Sequence, residues 1–520
     1  MAGRHAPIAK WLALAAVCSV LFLTFLDNTI VSVALANMQT SLKAGVASLQ
    51  WIVDGYMLAF AALMLSGGTL GDILGRKKIL LGGVALFVAG AVVSALADGT
   101  HVLIAGRVIM GVGAAASEPG TLSLIRQLYP DARERARALG IWTAVSGISL
   151  AAGPVLGGVL VGLWGWRGIF WFNVAFGLAA LAAAGFTLEE SADPEGRRID
   201  VPGLVLGAVA VLALTFAVIQ GESSGFGTWW IDVLFAVAAV SLVAFVIVER
   251  RSPDPVLRLD FFRSPTYSAA NAVAFATSFG LFAVFFFTAL YLQVVCHFSG
   301  WKIALTFVAM AVAIIVAGLI SGNWTASRGP RVPMVAGCVA AGGGIFAVDA
   351  LLRPSVSVAP LAAALAVVGF GLGLALVAVT AAVLAIVPGE RSGMAASTVN
   401  TSRQLGGVLA VAILGAVINE RIVHELGTKL VALGVPSSFM GLIIHDVTGG
   451  GLPANAAQAV LANPAAAAAA LLHPGILNQI LDAATSAFGD ALHVALVIAA
   501  LTLIAGAIVS LAAVKPLPES

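Results

Sequence analysis

Residues 25–31, Phe25-Leu26-Asp27-Asn28-Thr29-Ile30-Val31, place a carboxylate inside the first apolar run of the chain. About fifteen mostly apolar residues precede Asp27 and a further apolar stretch follows it, so the run has the length of a transmembrane helix. Counted at 1.5 Å per residue from Trp11, Asp27 lies roughly 24 Å along that helix. A charge at such a depth costs about 2.5–3.5 kcal/mol, and such residues usually face a cavity, pair with another group or carry a proton. We therefore expect Asp27 to be functional.

The composition is that of a membrane protein. Hydrophobic residues make up 60% of the 520 residues and charged residues only 10%, against about 25% in soluble domains. A formal net charge of +2 gives no indication of a nucleic acid partner. The three cysteines, Cys18, Cys296 and Cys338, lie in apolar stretches without metal-ligand spacing, so we predict buried, unpaired thiols.

Apolar runs of about 20 residues recur along the chain and predict fourteen transmembrane helices. The predicted spans are 11–36, 48–71, 79–97, 101–125, 138–162, 167–187, 201–220, 229–249, 266–294, 301–322, 332–352, 358–387, 397–418 and 491–514. The runs 266–294 and 358–387 are long enough to be tilted or broken. The first run is too long for a cleaved signal peptide, so we interpret it as an uncleaved span.

Lysine and arginine concentrate in alternate connections, which predicts that these connections and both termini are cytoplasmic. Residues 188–200 form a predicted cytoplasmic linker between the sixth and seventh spans. Residues 419–490 form a predicted external loop, whose small residues favour short surface helices and whose apolar pieces are too short to span.

A glycine-rich loop with an acid and several bases follows the second span. Its principal residues are Gly68, Asp72, Gly75 and Arg76. Asp72 could cap a helix N-terminus or pair with Arg76. The loop resembles the signature GxLaDrxGrkxxl of the major facilitator superfamily, with Ile73 where a basic residue is usual. A degenerate copy follows the tenth span at Gly322, Gly329 and Arg331, as expected for two internal repeats.

Further charges lie inside the second and fourth spans. Arg107, within a stretch similar to the superfamily motif lxxxRxxqGxG, needs an acceptor, and an acid on a neighbouring helix is the simplest one. Glu118 lies eleven residues further on, hence on the same helix face. It is either a second acid for transport or a packing acid held by hydroxyls such as Ser117 or Thr121. Asp54 either meets Arg107 or relays protons, or is a solvated interfacial acid.

Other motifs resemble one branch of that superfamily, the 14-helix drug:proton antiporters. Leu26 to Leu35 matches its lDxTIvnvALP signature, and the fifth span resembles its antiporter motif, which goes with exporters. The residues matching the antiporter motif are Gly140, Gly153, Pro154, Gly157 and Gly158. The residues matching a signature of the thirteenth span are Arg403, Gln404 and Gly406.

The resemblance implies a polytopic all-α major facilitator fold with fourteen transmembrane helices. A six-helix bundle would cover residues 11–187, two inserted helices residues 201–249, and a second six-helix bundle residues 266–514 including the external loop. A central cavity would open alternately to each side of the membrane.

The function implied is export of hydrophobic or cationic drugs across the cytoplasmic membrane in exchange for protons. Asp27, Arg107 and Glu118 would couple proton and substrate, and Asp54 would be a secondary acid. We expect no enzyme activity, no metal, nucleotide or cofactor, and no partner beyond substrates, protons and the lipid bilayer. Export of an endogenous metabolite, a self-made antibiotic or a lipid would use the same fold and motifs. A sensor or a membrane-embedded enzyme is a third class, for which no catalytic constellation is visible.

Overall fold

The computed structural model describes residues 7–44, 46–192, 198–433, 435, 440 and 476–515, which contain fourteen long helices and no strand. The first seven are α1 Pro7–Leu42, α2 Val46–Leu74, α3 Arg76–Ala95, α4 Thr100–Leu128, α5 Ala132–Trp164, α6 Arg167–Thr187 and α7 Val201–Ser224. The others are α8 Trp229–Arg251, α9 Pro265–Val294, α10 Gly300–Arg328, α11 Arg331–Leu351, α12 Val358–Ile386, α13 Ser392–Ala432 and α14 Ile476–Ala513. Two short 3₁₀ turns, Leu259–Arg263 and Gly389–Arg391, precede α9 and α13.

Thirteen of these helices are long and apolar enough to cross a membrane. The all-helical, multi-span class predicted from the composition is therefore confirmed. Helix α5 is not among the thirteen, so the number of fourteen spans stays a prediction, as does the cytoplasmic location of the termini.

Local sequence explains where several helices begin. The carboxylate of Asp131 accepts hydrogen bonds from the backbone N–H groups of Arg133 (3.0 Å) and Glu134 (2.9 Å) and so caps α5. The hydrogen bond from Glu134, followed by that from Arg133, holds the pKa of this exposed carboxyl below its usual value. Gly75 has a φ of 116°, which side-chain-bearing residues rarely adopt, and it separates α2 from α3.

We divide the helices by chain order, following the predicted bundles, into a first group of six (α1–α6), a pair (α7 and α8) and a last group of six (α9–α14). Within the first six, α4 packs against α2 and α3, while α1 packs against α5 and α6; within the last six, α12 packs against α10 and α11, and α13 against α9 and α14. Helices α7 and α8 pack on each other, and α7 also contacts α2 and α13. The two groups meet chiefly where α5 packs on α10 and α2 on α13. The bundle boundaries at residues 187, 201, 249 and 266 remain predictions.

Several connections gather at one end of the molecule, which we call the basic end because it carries Arg76 and Arg126. There, Arg76 donates through Nη2 to the carbonyl oxygen of Gly389 (2.7 Å) and through its backbone N–H to that of Ser191 (2.8 Å). The hydroxyl of Ser191 in turn donates to Oε1 of Gln127 (2.6 Å). These hydrogen bonds join the chain segments that follow α2, α6 and α12. Of the predicted linker 188–200, residues 193–197 lie outside the described residues.

The prediction for residues 419–490 is wrong at both ends of the segment. Helix α13 continues through Ala432, and α14 already begins at Ile476, so residues 419–432 and 476–490 are extensions of two long helices. Nζ of Lys429 joins them by hydrogen bonds to Ser486 (2.8 Å) and Asp490 (3.0 Å). The drop in hydropathy marks where apolar character ends, but the backbone hydrogen bonds of a helix persist beyond that point. Residues 434, 436–439 and 441–475 lie outside the described residues.

The two long apolar runs differ from each other. Helix α9 contains a π-helical turn at Val284–Thr288, a local irregularity of the kind predicted for residues 266–294. Helix α12 runs without a break from Val358 to Ile386.

Candidate functional site

Asp27 lies at the centre of a hydrogen-bonded cluster among the first six helices. Its side chain is fully buried, and both carboxylate oxygens have partners. Oδ2 forms an ion pair with Nη1 of Arg107 on α4, and Oδ1 accepts a hydrogen bond from Nδ2 of Asn173 on α6 (2.8 Å). The carboxylate therefore ties α1 to α4 and α6. The acid that Arg107 was expected to find on a neighbouring helix is Asp27.

Arg107 has two further partners, both on α2. Its Nε donates to the backbone carbonyl of Ile52 (2.9 Å), and the guanidinium lies over the ring of Tyr56, 4.4 Å from the centroid. The hydroxyl of Tyr56 donates to the backbone carbonyl of Thr24 (3.3 Å). A planar guanidinium can donate hydrogen bonds from several N–H groups while it stacks on an aromatic ring. Arginine therefore suits this position better than lysine. Side chains and backbone of four helices thus surround one ion pair.

Two members of this cluster were not assigned a role from the sequence. They are Asn173 on α6 and Tyr56 on α2. An asparagine inside an apolar helix is a signal in itself, because a buried amide needs hydrogen-bond partners.

Glu118 lies on the same helix as Arg107 but faces another partner. It is 2% exposed and interacts electrostatically with Arg403 of α13, in the other group of six helices. The hydroxyls of Ser117 and Thr121 donate to backbone carbonyls, Gly113 and Ala114 for the first and Glu118 for the second. The interpretation that these hydroxyls hold the Glu118 carboxylate is therefore wrong, because each completes a hydrogen bond along its own helix instead.

Arg403 is half-buried between α13, α12 and α5. Its Nη2 donates to the hydroxyl of Thr380 (2.8 Å) and the carbonyl of Leu376 (3.2 Å), and Nη1 donates to Oδ1 of Asn400 (3.2 Å). The guanidinium carbon lies 5.9 Å from the centroid of the Trp142 ring. Nearby in the same signature, Gln404 is half-buried, and Gly406 packs so closely on Phe275 of α9 that no side chain would fit.

The remaining predicted acids lie outside these two clusters. Asp54 is half-buried on α2, two residues after Ile52, while Arg107 bonds to Asp27 and to the Ile52 carbonyl. Asp349, near the end of α11, is 13% exposed, and its Oδ2 lies 2.7 Å from Nδ1 of His493 on α14.

The junction of α2 and α3 joins the two groups of six helices, and the predicted loop is helical here except at Gly75. Asp72 is buried and accepts from Nε and Nη2 of Arg76 (3.0 and 2.9 Å). It also accepts from the backbone N–H groups of Gly393 and Met394, 2.9 Å each, at the start of α13. Asp72 was predicted to cap a helix N-terminus or to pair with Arg76. It does both, and the helix that it caps is α13. Gly68 and Gly393 pack backbone to backbone there.

Glycines of the predicted antiporter motif place α5 against two neighbours. A Cβ added at Gly140 would lie 2.7 Å from the carbonyl oxygen of Gly318 on α10. One at Gly153 would overlap the hydroxyl of Thr29 on α1, and one at Gly157 would lie 3.0 Å from the Ile30 carbonyl. Gly158 has open space around it, and the side chain of Pro154 lies outside the described residues.

The aromatic residues of α9 divide between interior and surface. Phe287 and Tyr291 are buried, whereas Phe285 and Phe286 are 37% and 45% exposed. The three cysteines are unpaired as predicted, with Cys18 and Cys338 buried and Cys296 half-buried.

Comparison with known proteins identifies the family. A sequence model described as Major Facilitator Superfamily matches residues 17–411, about three quarters of the chain. The chain belongs to the major facilitator superfamily. It is accordingly a multi-pass protein of the cytoplasmic membrane and a member of a transporter family.

Relatives and a solved structure support this assignment. Multidrug resistance protein Stp of Mycobacterium tuberculosis is 36% identical over 399 residues, which cover 76% of this chain and 74% of Stp. Multidrug efflux pump LfrA of Mycolicibacterium smegmatis is 31% identical over 503 residues, 97% of this chain and 96% of LfrA. The crystal structure of the human organic anion transporter MFSD10 (TETRAN) covers 96% of this chain and all of that chain, with a TM-score of 0.56 and 13% identity, which shows the shared fold.

Proposed function

We propose that this protein exports hydrophobic or amphipathic small molecules across the membrane in exchange for protons. Two relatives named for multidrug resistance and multidrug efflux, one of them similar over nearly the whole chain, support export of drug-like compounds. The fifth-span glycine motif supports the outward direction. Small molecules and protons are then the transported partners, within the lipid bilayer.

The observation that carries the coupling mechanism is the buried ion pair of Asp27 and Arg107. While Asp27 is ionised, Arg107 and Asn173 hold α1, α4 and α6 together. Protonation of Asp27 removes the ionic attraction and leaves Arg107 with the Ile52 carbonyl and the Tyr56 ring, so the packing of these helices is loosened. Because Asp27 is fully buried in this arrangement, exchange of its proton requires that the cluster opens, which links proton movement to helix movement.

Energy for transport comes, on this proposal, from the proton gradient and from no bound cofactor or nucleotide. One proton moved down a membrane potential supplies about 2.3 kcal/mol per 100 mV. Glu118 is the second protonatable group close to the interface of the two groups of six helices, and Asp72 stabilises the state in which the basic end is closed.

The test is transport by the purified protein in proteoliposomes with an imposed pH gradient, using a panel of lipophilic cations and neutral dyes. Wild-type protein transports substrate only while the gradient lasts, and an uncoupler abolishes transport. Asp27→Asn keeps the size of the side chain but has no exchangeable charge, so it is expected to lose gradient-driven transport. Asp98→Asn, which changes an exposed acid between α3 and α4, is the control and keeps it. Gradient-driven export by Asp27→Asn at the wild-type rate contradicts the coupling role.

A further inference from the structure

Two opposite charges from the two groups of six helices face each other without completing their hydrogen bonds. Within the described residues, Oε2 of Glu118 and Nε of Arg403 are buried and have no hydrogen-bond partner. The two side chains interact electrostatically, yet they form no ion pair within 4.0 Å among the described side chains. A further polar group bound between them would complete the hydrogen bonds of both side chains.

The surrounding polar groups are already engaged. Nη1 and Nη2 of Arg403 donate to Asn400, Thr380 and the Leu376 carbonyl, which fixes the guanidinium in place. Two N–H groups of Arg403 are left as donors, that of Nε and the second one of Nη1, and the Nδ2 group of Asn400 beside them has no partner either within the described part of the chain. On the other side, the hydroxyl of Thr121 donates its only O–H to the backbone carbonyl of Glu118 and accepts from the Trp142 indole (3.1 Å), so it has no donor left for the Glu118 carboxylate.

Such an arrangement is costly if nothing binds there. A buried polar group without a partner lowers the stability of a protein, and more so when it is charged. Ionisable residues kept unpaired within a membrane protein are functional sites by default. Arg403 keeps part of its side chain exposed although it contacts α5 and α12.

We propose that Glu118 and Arg403, with Asn400, form a subsite for the polar head of a substrate that carries both a hydrogen-bond donor and an acceptor. The favoured class is a zwitterionic or amphoteric aromatic compound. Its ammonium, amine or hydroxyl group donates to Oε2 of Glu118, and its carboxylate or carbonyl oxygen accepts from Nε of Arg403 and Nδ2 of Asn400. This inference rests on the proposed function and narrows its substrate class.

Single-charge substrates fit the subsite less well. A lipophilic cation without an acceptor satisfies Glu118 but adds a second positive charge near Arg403. An anion satisfies Arg403 and leaves Glu118 without a donor. Since Glu118 belongs to α4 and Arg403 to α13, a ligand that uses both also bridges the two groups of helices that move during alternating access.

The test is equilibrium binding to the full-length protein in lipid nanodiscs, which needs neither a proton gradient nor transport. The probes are norfloxacin, a planar aromatic with a carboxylate and a secondary amine, and tetraphenylphosphonium, a permanent cation without hydrogen-bonding groups. Wild-type protein is expected to bind norfloxacin at least about tenfold more tightly than tetraphenylphosphonium, since hydrogen bonds to charged groups are stronger than those between neutral groups.

Variants separate the two ends of the head group. Glu118→Gln and Arg403→Gln each weaken norfloxacin binding by about tenfold to a hundredfold, and Arg403→Gln leaves tetraphenylphosphonium binding unchanged or tighter. Arg403→Lys, which keeps the charge but loses Nε, has an effect close to that of Arg403→Gln. Glu420→Gln and Arg421→Gln, exposed residues on the same helix α13, are matched controls that leave binding unchanged.

Equal affinity of wild-type protein for both probes overturns the proposal, and so does norfloxacin binding that is unaffected in folded Glu118→Gln and Arg403→Gln proteins. Thermal unfolding of each variant shows whether it is folded. If a variant does not fold, the proposal is tested by the preference of wild-type protein for norfloxacin over tetraphenylphosphonium and by norfloxacin binding to Arg403→Lys. Proton-independent transport in proteoliposomes would refute the proposed function while leaving this binding result intact, so the two failures are distinguishable.

Discussion

At the scale of single residues, Asp27 shows how a charge can be kept inside an apolar helix. The ion pair with Arg107 and the hydrogen bond from Asn173 replace the water that the carboxylate would have outside the membrane. Arg107 is satisfied in the same way, by Asp27, the Ile52 carbonyl and the Tyr56 ring. Removal of either member leaves the other buried without its partner, which costs more than removal of both.

A double-mutant cycle tests this reasoning. Arg107→Gln is expected to lower the free energy of unfolding by about 3–5 kcal/mol, because it leaves the Asp27 carboxylate buried and unpaired. The double variant Asp27→Asn/Arg107→Gln is expected to be more stable than Arg107→Gln alone. Thermal unfolding in detergent measures the order of stability.

The control for that cycle is Arg421→Gln, which changes an exposed arginine and is expected to have no effect on the unfolding temperature. A double variant that is less stable than both single variants would show that the two charges do not depend on each other.

Much of this cluster, but not all of it, could be predicted from the sequence. The depths of Asp27 and Arg107 follow from residue counting, and a buried arginine needs an acid, so their pairing was predictable. The partner of Glu118 was not predictable, because the eleven-residue spacing shows only that Glu118 and Arg107 share a face of α4. Which helix lies opposite Glu118 depends on the packing of α13, more than 280 residues later in the chain.

At the scale of helices, α5 depends on close approach at particular glycines. Gly140 meets Gly318 of α10, where the two groups of six helices are in contact, while Gly158 in the same motif meets nothing within 4 Å. An alanine costs little or is even favourable at an open helical position, because alanine has the higher helix propensity. At a tight position the added methyl group must displace backbone atoms.

Gly140→Ala is therefore expected to lower the free energy of unfolding by about 1–3 kcal/mol and to slow export. Gly158→Ala serves as the matched control, and it is expected to leave stability unchanged or raise it by up to about 1 kcal/mol. Both effects are measured by thermal unfolding and by transport in proteoliposomes. Equal behaviour of the two variants would mean that the α5–α10 contact is not a close-packed one in solution.

Helix boundaries were the least predictable feature at this scale. The charges Glu420, Arg421 and Lys429 correctly indicate the end of the apolar stretch, but they are good helix formers and do not end a helix. Helix α13 therefore continues to Ala432, and its extension is stabilised by contacts with the extension of α14, such as that of Lys429 with Asp490. Hydropathy alone carries no information about such helix pairs beyond the membrane.

At the scale of the whole molecule, the two groups of six helices are closed against each other at the basic end. Asp72 on α2 caps the start of α13, Arg76 reaches the Gly389 carbonyl, and Gly140 contacts Gly318. These contacts join parts of the chain that are far apart in sequence. Their rupture is needed for an opening at this end.

Asp72→Ala is expected to increase the fraction of molecules open at the basic end by about tenfold or more, since it removes the acceptor of two helix N-terminal N–H groups and of Arg76. The measurement is the rate of maleimide labelling of a single cysteine introduced at Ser397, which is buried beside Gly68, in protein lacking the three native cysteines. Asp131→Ala, which removes a cap of α5 alone, is the control and leaves the rate unchanged. An unchanged rate in Asp72→Ala would contradict the role of this contact in closure.

The orientation in the membrane is a separate prediction of the lysine and arginine distribution. A cysteine introduced at Asp98, between α3 and α4, is expected to react with a membrane-impermeant maleimide in intact cells. A cysteine introduced at the exposed Ala192, beside the basic end, is expected to react only after the membrane is permeabilised. The reverse pattern would place both termini outside.

The length of α13 has a mechanical consequence. This helix has 41 residues without a proline, about 60 Å at 1.5 Å per residue, and it runs from the Asp72 contact to the pairing of Lys429 with α14. When the hydrogen bond between Gly393 and Asp72 breaks and α13 tilts, the end of the helix near Lys429 therefore moves several times further than the end near Gly393. An antibody fragment or other rigid clamp that fixes the tip would arrest the transport cycle without entering the substrate path.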